Sequence, residues 1–397
     1  MGRAVIVDVV RTPFGKGREG GALSGVHPVD LLAHTIEALV DRTGVDPIGV
    51  DDVIAGCGIP VGEQSGNIAR HAWLAAGFPE SVPGVTIDRK CGSSQQAVHF
   101  AAQGVIAGAY DMVVAAGVEM MSVVPMRANR LGRDNLGPRL ARRYPEGLVP
   151  QGISAELIAA KWHLDRSTLD EYALRSHRPA AAAEGEGRLA RSIVPVEVPT
   201  AGGGTVVVEH DEGIRPDTSL EKLATLRAVF ADEAYERRFP EIGWVVTAGN
   251  SSQVSDGASA ALVMSEERAR ALGLGPRAAV THFGLAADDP IFMLTGIIPA
   301  TFKLLERSGL SVADIDVFEV NEAFASVVLA WLRETGADAD KVNVNGGAIA
   351  LGHPVGASGT RLMAAVLDAL EERGGRLGMV VMCESGGMAN ATIVERT

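Results

Sequence analysis

Cys91, His353 and Cys383 form the one set in the chain with the right chemistry to make and break an acyl bond. Each ends a predicted strand and is followed by small residues: Cys91-Gly92-Ser93-Ser94, His353 within Gly352 to Gly359, and Cys383-Glu384-Ser385-Gly386-Gly387. A thiolate can take an acyl group, an imidazole can draw off its proton, and a second thiol can relay a proton to the group that arrives or leaves. Cys91 stands just ahead of a helix that begins near Ser93, so backbone N–H groups and the helix dipole are expected to lower its pKa. Taken singly, a buried Cys is more often a small hydrophobe and a lone His more often structural. It is their occurrence at matching places in two similar segments that favours the chemical reading.

Other chemistries lack their parts. The three cysteines, Cys57, Cys91 and Cys383, are far apart and form no CxxC pair, so neither a disulfide framework nor a zinc site is expected, and no metal is assigned. There is no GxGxxG, HExxH or GxSxG, and the stretch Gly347 to Gly352 continues with His353-Pro354 where a P-loop needs Lys-Ser/Thr.

The elements that must position these residues alternate between strand and helix. Ala4 to Val10 reads as a buried strand, Pro28 to Thr43 as a helix closed by Gly44, Asp52 to Ala55 as a strand, and Gly66 to Ala76 as a helix closed by Gly77. Such alternation implies an α/β fold. Val85 to Val118 and Lys341 to Val394 share one order: strand, tight polar turn, long helix, strand. In the first, Val85-Thr86-Ile87 precedes Cys91; in the second, Val342-Asn343-Val344 precedes His353. A duplicated architecture is the simplest account. Between the halves, roughly Ser122 to Ser252, Arg127, Arg130, Arg133, Arg139, Arg142 and Arg143 cluster with Pro and Gly in a loop-rich insertion of the kind that often binds or covers a ligand. Within it, Thr218 to Phe230 begins with a capping box of Thr218 and Glu221 and reads as a short helix.

Composition fits this reading. The 397 residues suffice for two or three domains, and 47 dispersed glycines with only 5% aromatics imply close backbone approaches around an aliphatic core. A net charge of −13 leaves no broad footprint for nucleic acid. No apolar run reaches the ~20 residues of a membrane span. Met1 to Val10 lacks signal-peptide features, Ile6 breaks a myristoylation pattern, and the final Glu395-Arg396-Thr397 is not a peroxisomal address, so a reducing, cytoplasmic setting is expected.

Set in order, these motifs resemble the thiolase family, acetyl-CoA or 3-ketoacyl-CoA acyltransferases. The resemblance runs from Arg11-Thr12-Pro13-Phe14-Gly15 through Cys91-Gly92-Ser93-Ser94, Thr247-Ala248-Gly249-Asn250, Asn321-Glu322-Ala323-Phe324 and Gly352-His353-Pro354 to Cys383 and Ile393-Val394-Glu395-Arg396. It implies that Cys91 is acylated, that His353 takes its proton, and that Cys383 serves as general acid or base. Asn321 would hold a water that forms one oxyanion hole with His353, and the backbone N–H groups of Cys91 and Ser385 would form the other. Coenzyme A, a substrate and not a bound cofactor, would meet Arg215 at its nucleotide end, Leu226 and Phe230 along its path, and Ala248, Ser252 and Phe324 near the pantetheine. The implied fold is two similar α/β halves with mostly parallel sheets clad by helices: residues 1–121 with 253–274, and 275–397. Residues 122–252 form a loop domain that binds CoA and the acyl chain. The implied assembly is a homodimer or homotetramer.

Three departures stand out. Gln151-Gly152 replaces a common Met-Gly, and Pro150 replaces the His of the short-chain biosynthetic type, which points toward thiolytic cleavage of 3-ketoacyl-CoA. Ser385 replaces a usual Gly, which is expected to strain a positive φ. Ala231 to Trp244 is long and charged. The alternatives are a non-catalytic thiolase-like protein that binds acyl-CoA or lipid, and a biosynthetic enzyme that forms acetoacetyl-CoA. A decarboxylating condensing enzyme is disfavoured by the second thiol.

Overall fold

The computed structural model describes residues 2–200 and 202–397. The strand Ala4–Arg11 is an apolar run interrupted only by Asp8, and it is buried almost throughout, as a strand must be when helices cover both faces of its sheet. It pairs antiparallel with Ser255–Ser265, which pairs antiparallel with Met112–Met120. Beyond that, Asp52–Gly56 and Gly84–Ile87 follow in parallel. In the second half Val317–Val320 runs parallel to Leu377–Glu384, which is antiparallel to Met388–Arg396, itself antiparallel to Ala278–Ala287. The halves join where Val5 and Ile6 meet Ala279 and Ala278.

The α/β architecture is as expected, but the pairing is mixed where mostly parallel sheets were expected. A tight turn folds the last strand straight back on its neighbour, and a hairpin can only be antiparallel. Ser255–Ser265 likewise returns from the far end of the insertion against the direction of its partners. A second expectation also fails: Val342 to Val344 is no strand. Val342 makes a single bridge to Phe318, and Asn343, at φ 49°, turns the chain away. The Asn343 side chain replaces the missing strand, accepting from Val320 N at 2.8 Å and donating to Val320 O at 2.9 Å.

The helix Pro28–Thr43 starts on its proline and stops at Gly44, as the sequence indicates. At the centre of the molecule, the helices Ser93–Ala107 and Ser358–Arg373 cross with almost no space between them. A methyl group at Gly359 would lie 2.1 Å from the Gln95 backbone nitrogen, so only glycine permits the crossing. Ser94 Oγ accepts from Thr360 N at 3.1 Å, which ties the two helices at the same level.

The insertion is more helical than expected. Gln151–Lys161 and Arg166–Gly185 pack on the second half, while the arginine-rich stretch holds only the short, exposed helix Gly137–Arg143. The short helix expected over Thr218 to Phe230 is confined to Leu220–Ala224, and its cap is Ser219, whose Oγ accepts from Lys222 N at 3.3 Å. Thr218, the expected cap, therefore lies one residue ahead of the observed one. Among the described residues no helix is long and apolar enough to cross a membrane.

A buried ion pair ties the insertion to the first half. Arg11 grips Asp211 with two bonds of 2.6 and 2.7 Å, and Asp211 Oδ1 also accepts from Phe14 N at 2.8 Å. Both side chains are removed from water. Asp211→Ala leaves the guanidinium buried and unpaired, and is expected to lower unfolding stability by about 3–5 kcal/mol in a urea titration.

Candidate active site

Cys91, Cys383 and Asn321 are delivered by the end of a strand or the start of a helix, whereas His353, expected at a strand end, lies in the turn between the helices Ala348–Leu351 and Ser358–Arg373. After Gly84–Ile87 the chain turns at Lys90, at φ 50°, where Ser93 Oγ accepts from Arg89 N at 2.9 Å and donates to Lys90 O. That turn places Cys91 just ahead of Ser93–Ala107. Leu377–Glu384 carries Cys383 near its end, and Asn321 follows Val317–Val320, held by its N–H on Val381 O at 2.9 Å. The His353 N–H is shared between Gln253 O at 3.0 Å and Ser255 Oγ at 3.1 Å. Cys91, His353, Cys383 and Asn321 are all buried. Cys383 is close enough to Cys91 to raise its pKa, and Asn321 Nδ2 lies 3.5 Å from His353 Nε2.

Two neighbours suit one tautomer of His353. Ser358 Oγ lies 2.8 Å from Pro354 O and 2.6 Å from His353 Nδ1, and when its one proton goes to the carbonyl it accepts from Nδ1. The Asn321 amide donor faces Nε2, which suits an imidazole proton on Nδ1 and a lone pair on Nε2 toward the site. Burial, with the Arg361 charge adding to it, pushes the His353 pKa down to about 3, so the ring is neutral.

The thiols run against the sequence expectation. Burial, then Cys383 and Glu384, push the Cys91 thiol well above its ordinary value; the Gln151 amide opposes this. Removal from water outweighs the helix start. Burial likewise pushes Cys383 up to about 12, with the Asn321 amide opposing. Both sulfurs rest protonated. The thiolate absorbance near 240 nm that is lost in Cys91→Ala is accordingly expected to be negligible at neutral pH and to grow only above about 8.5, the value of a free cysteine. Full absorbance at pH 7 would contradict this.

Ser385 escapes the expected strain. The positive φ values, 87° and 84°, fall on Gly386 and Gly387, the next two residues. Its hydroxyl accepts from Gln151 Nε2 at 2.7 Å.

Some site residues were not singled out as such from sequence. Ser358, which orients His353, is a small residue in a Gly/Ala-rich turn. Glu384 is buried with neither oxygen hydrogen-bonded, pushed up to about 8 by burial, and lies so close to Gly92 that a methyl there would fall 2.0 Å from Oε1. Its signal was a charged residue at the end of the apolar run Met379 to Cys383, within the same strand. Glu322 accepts from Tyr172, Ser176, Asn343 and Ile349, and so fastens the insertion to the Asn321 segment.

The residues assigned to coenzyme A divide into two groups. Phe324 meets the Phe230 ring edge-on at 6.0 Å, and Ser252 N donates to Ala323 O at 3.0 Å, so Phe230, Ser252 and Phe324 gather at the Asn321 segment. Arg215, Leu226 and Ala248 face solvent, with Arg215 N donating to His177 Nδ1 at 3.3 Å. Among the described residues no group of three or more His, Cys, Asp or Glu is placed to hold a metal ion.

Two protonated thiols and a neutral imidazole, buried together, are the parts a thiol-dependent acyltransferase needs. Comparison with known proteins narrows the class. Residues 4–267 match the thiolase N-terminal domain and residues 274–396 the thiolase C-terminal domain. The chain is 48% identical to a steroid 3-ketoacyl-CoA thiolase, FadA6, of Mycobacterium tuberculosis, over all of this chain and 95% of that protein. It is 43% identical to a 3-ketoacyl-CoA thiolase of Pseudoalteromonas translucida, over all of this chain and 99% of that one. Human mitochondrial 3-ketoacyl-CoA thiolase superposes with a TM-score of 0.88 at 34% identity, covering 100% of this chain and 99% of the human one. The chain belongs to the thiolase family of acyl-CoA C-acyltransferases.

Proposed function

We propose that this enzyme works in the degradative direction, cleaving a 3-ketoacyl-CoA with a second CoA. The observation that carries the chemistry is the His353 tautomer, with Nε2 free to accept the Cys91 proton. As that proton moves, the Cys91 sulfur attacks the 3-keto carbon. The bond between carbons 2 and 3 breaks, the shortened acyl group stays on Cys91, and the Cys383 thiol protonates carbon 2 of the departing acetyl-CoA. Cys383, now a thiolate, takes the proton of the incoming CoA thiol, whose sulfur displaces the acyl group from Cys91, and His353 gives its proton back to the departing Cys91 sulfur, so that all three residues regain their starting state. Negative charge forms on the oxygen of each intermediate. In this reading the N–H groups of Cys91 and Ser385 stabilise one oxyanion; His353 and a water on Asn321, whose buried Oδ1 has no protein partner, stabilise the other.

The degradative direction is supported by relatives named for 3-ketoacyl-CoA thiolysis and by Gln151 and Pro150 in place of the short-chain pattern. CoA would lie along the loop domain 122–252, with Arg215 toward its phosphates, Leu226 and Phe230 along its length, and Ala248, Ser252 and Phe324 at the pantetheine. The functional halves would be 1–121 with 253–274, and 275–397. The working form would be a homodimer, or a tetramer of dimers, through the edge strand Gly84–Ile87, with Val85 and nearby Phe100 both exposed. A cytoplasmic location suits three buried free thiols.

The test is peptide mass spectrometry after brief exposure to a panel of 3-ketoacyl-CoA thioesters with CoA limiting. An acyl mass on Cys91, two carbons shorter than the substrate chain, is expected. An unmodified Cys91 in folded protein that binds CoA would establish the non-catalytic alternative.

A further inference from the structure

Two side chains that the reaction scheme leaves unused meet beside the nucleophile. Gln151, the first residue of Gln151–Lys161, donates from Nε2 to Ser385 Oγ at 2.7 Å, and its amide is near enough to Cys91 to oppose the rise of that thiol's pKa. The contact joins two remote parts of the chain, the insertion and the last hairpin, beside the turn that carries Cys91. Both partners stand where the resemblance leads one to expect other residues, Met for Gln151 and Gly for Ser385. Either of those residues would remove the bond, so the two departures make sense as a pair.

The base of Gln151 is rigid. A methyl group at the next residue, Gly152, would lie 2.3 Å from the Phe230 ring, and Ser154 Oγ donates to Ile291 O at 2.7 Å, so the first helical turn is pinned from two directions. Ser385, by contrast, precedes two glycines in the left-handed region and begins a turn with little stiffness of its own. A primary amide has two N–H donors, enough to serve a hydroxyl and a sulfur together.

We propose that Gln151 is a positioning residue for acylation: its amide fixes the Ser385 turn, and with it that turn's backbone N–H, relative to the Cys91 sulfur. This rests on the reading of Cys91 as nucleophile and of the Ser385 N–H as an oxyanion donor. Donor and nucleophile are then set by one group on a rigid support, which is what preorganised catalysis requires.

A double-mutant cycle of Gln151→Met and Ser385→Gly tests the proposal, with Gln151→Glu as a variant that keeps the shape but loses the donors. The readouts are the rate of Cys91 acylation at limiting CoA, the KM, the thermal midpoint, and the pH midpoint of Cys91 alkylation by iodoacetamide. Gln151→Met is expected to slow acylation about 100-fold, the scale of a misplaced reacting group, with KM nearly unchanged. Its alkylation midpoint should rise, and the double variant should be no slower than Gln151→Met alone. Gln151→Glu should be as slow as Gln151→Met. Additive losses, an unmoved alkylation midpoint, or wild-type acylation in Gln151→Glu would each overturn the proposal. Absence of acyl-Cys91 in the wild-type protein would instead remove the reading beneath it.

Discussion

Cys91→Ala is expected to end acyl transfer to the protein, with turnover falling more than about 10⁴-fold, because no other group combines a nucleophilic atom with the free Nε2 of His353. The change removes one sulfur from a packed, buried position and adds no bulk, so the fold should persist. Intact mass after exposure to 3-ketoacyl-CoA, together with the thermal midpoint, checks both statements. The most informative contrary result would be an acyl mass on Cys383. That residue lies within electrostatic reach of Cys91, so its acylation would mean that the roles of the two sulfurs are reversed.

Cys383→Ala should separate the two halves of the chemistry. Acylation of Cys91 by a simple acyl-CoA needs only Cys91, His353 and the oxyanion donors, and should continue slowly. Cleavage of the carbon–carbon bond needs a proton delivered to carbon 2, and should fall by roughly 10²–10⁴-fold, the range of general acid catalysis. Comparing the rate of acyl exchange between CoA esters with the rate of 3-ketoacyl-CoA thiolysis in the same variant reads the two directly. Equal carbon–carbon bond turnover in wild type and variant would remove Cys383 from the proton path.

What was legible in the sequence is what local patterns control. Ala4–Arg11 is recognisable because a strand buried on both faces must be almost wholly apolar, and Pro28–Thr43 because its proline and Gly44 mark its ends. Cys91, His353 and Cys383 stand out because reactive groups in tight turns need small neighbours, although His353 sits between two helices and not at a strand end. What was hidden depends on distant parts of the chain. The loss of a strand at Val342 to Val344 comes from an Asn343 side chain that completes the edge of Val317–Val320 across 23 residues. The direction of pairing depends on how Ser255–Ser265 returns. The helix start beside Cys91 was a correct local observation, but the thiol pKa is decided by burial under segments from elsewhere in the chain. The partnership of Gln151 with Ser385, 234 residues apart, could be noticed from sequence only as two separate oddities.

The crossing at Gly359 and Gln95 has a mechanical meaning. Backbone touches backbone there with no side chain between, and at Gly117 a methyl would fall 2.1 Å from Gly356 O, so the contact recurs a short way off. The halves that carry the nucleophile and the base are thus locked like two bars notched into each other, and the molecule has no joint at its centre. Many enzymes spend part of each turnover opening and closing around their substrate. Here any such motion must come from segments outside the crossing. On the reading proposed above, acyl chains would then be selected by the outline of a fixed frame, not by how far a jaw can shut.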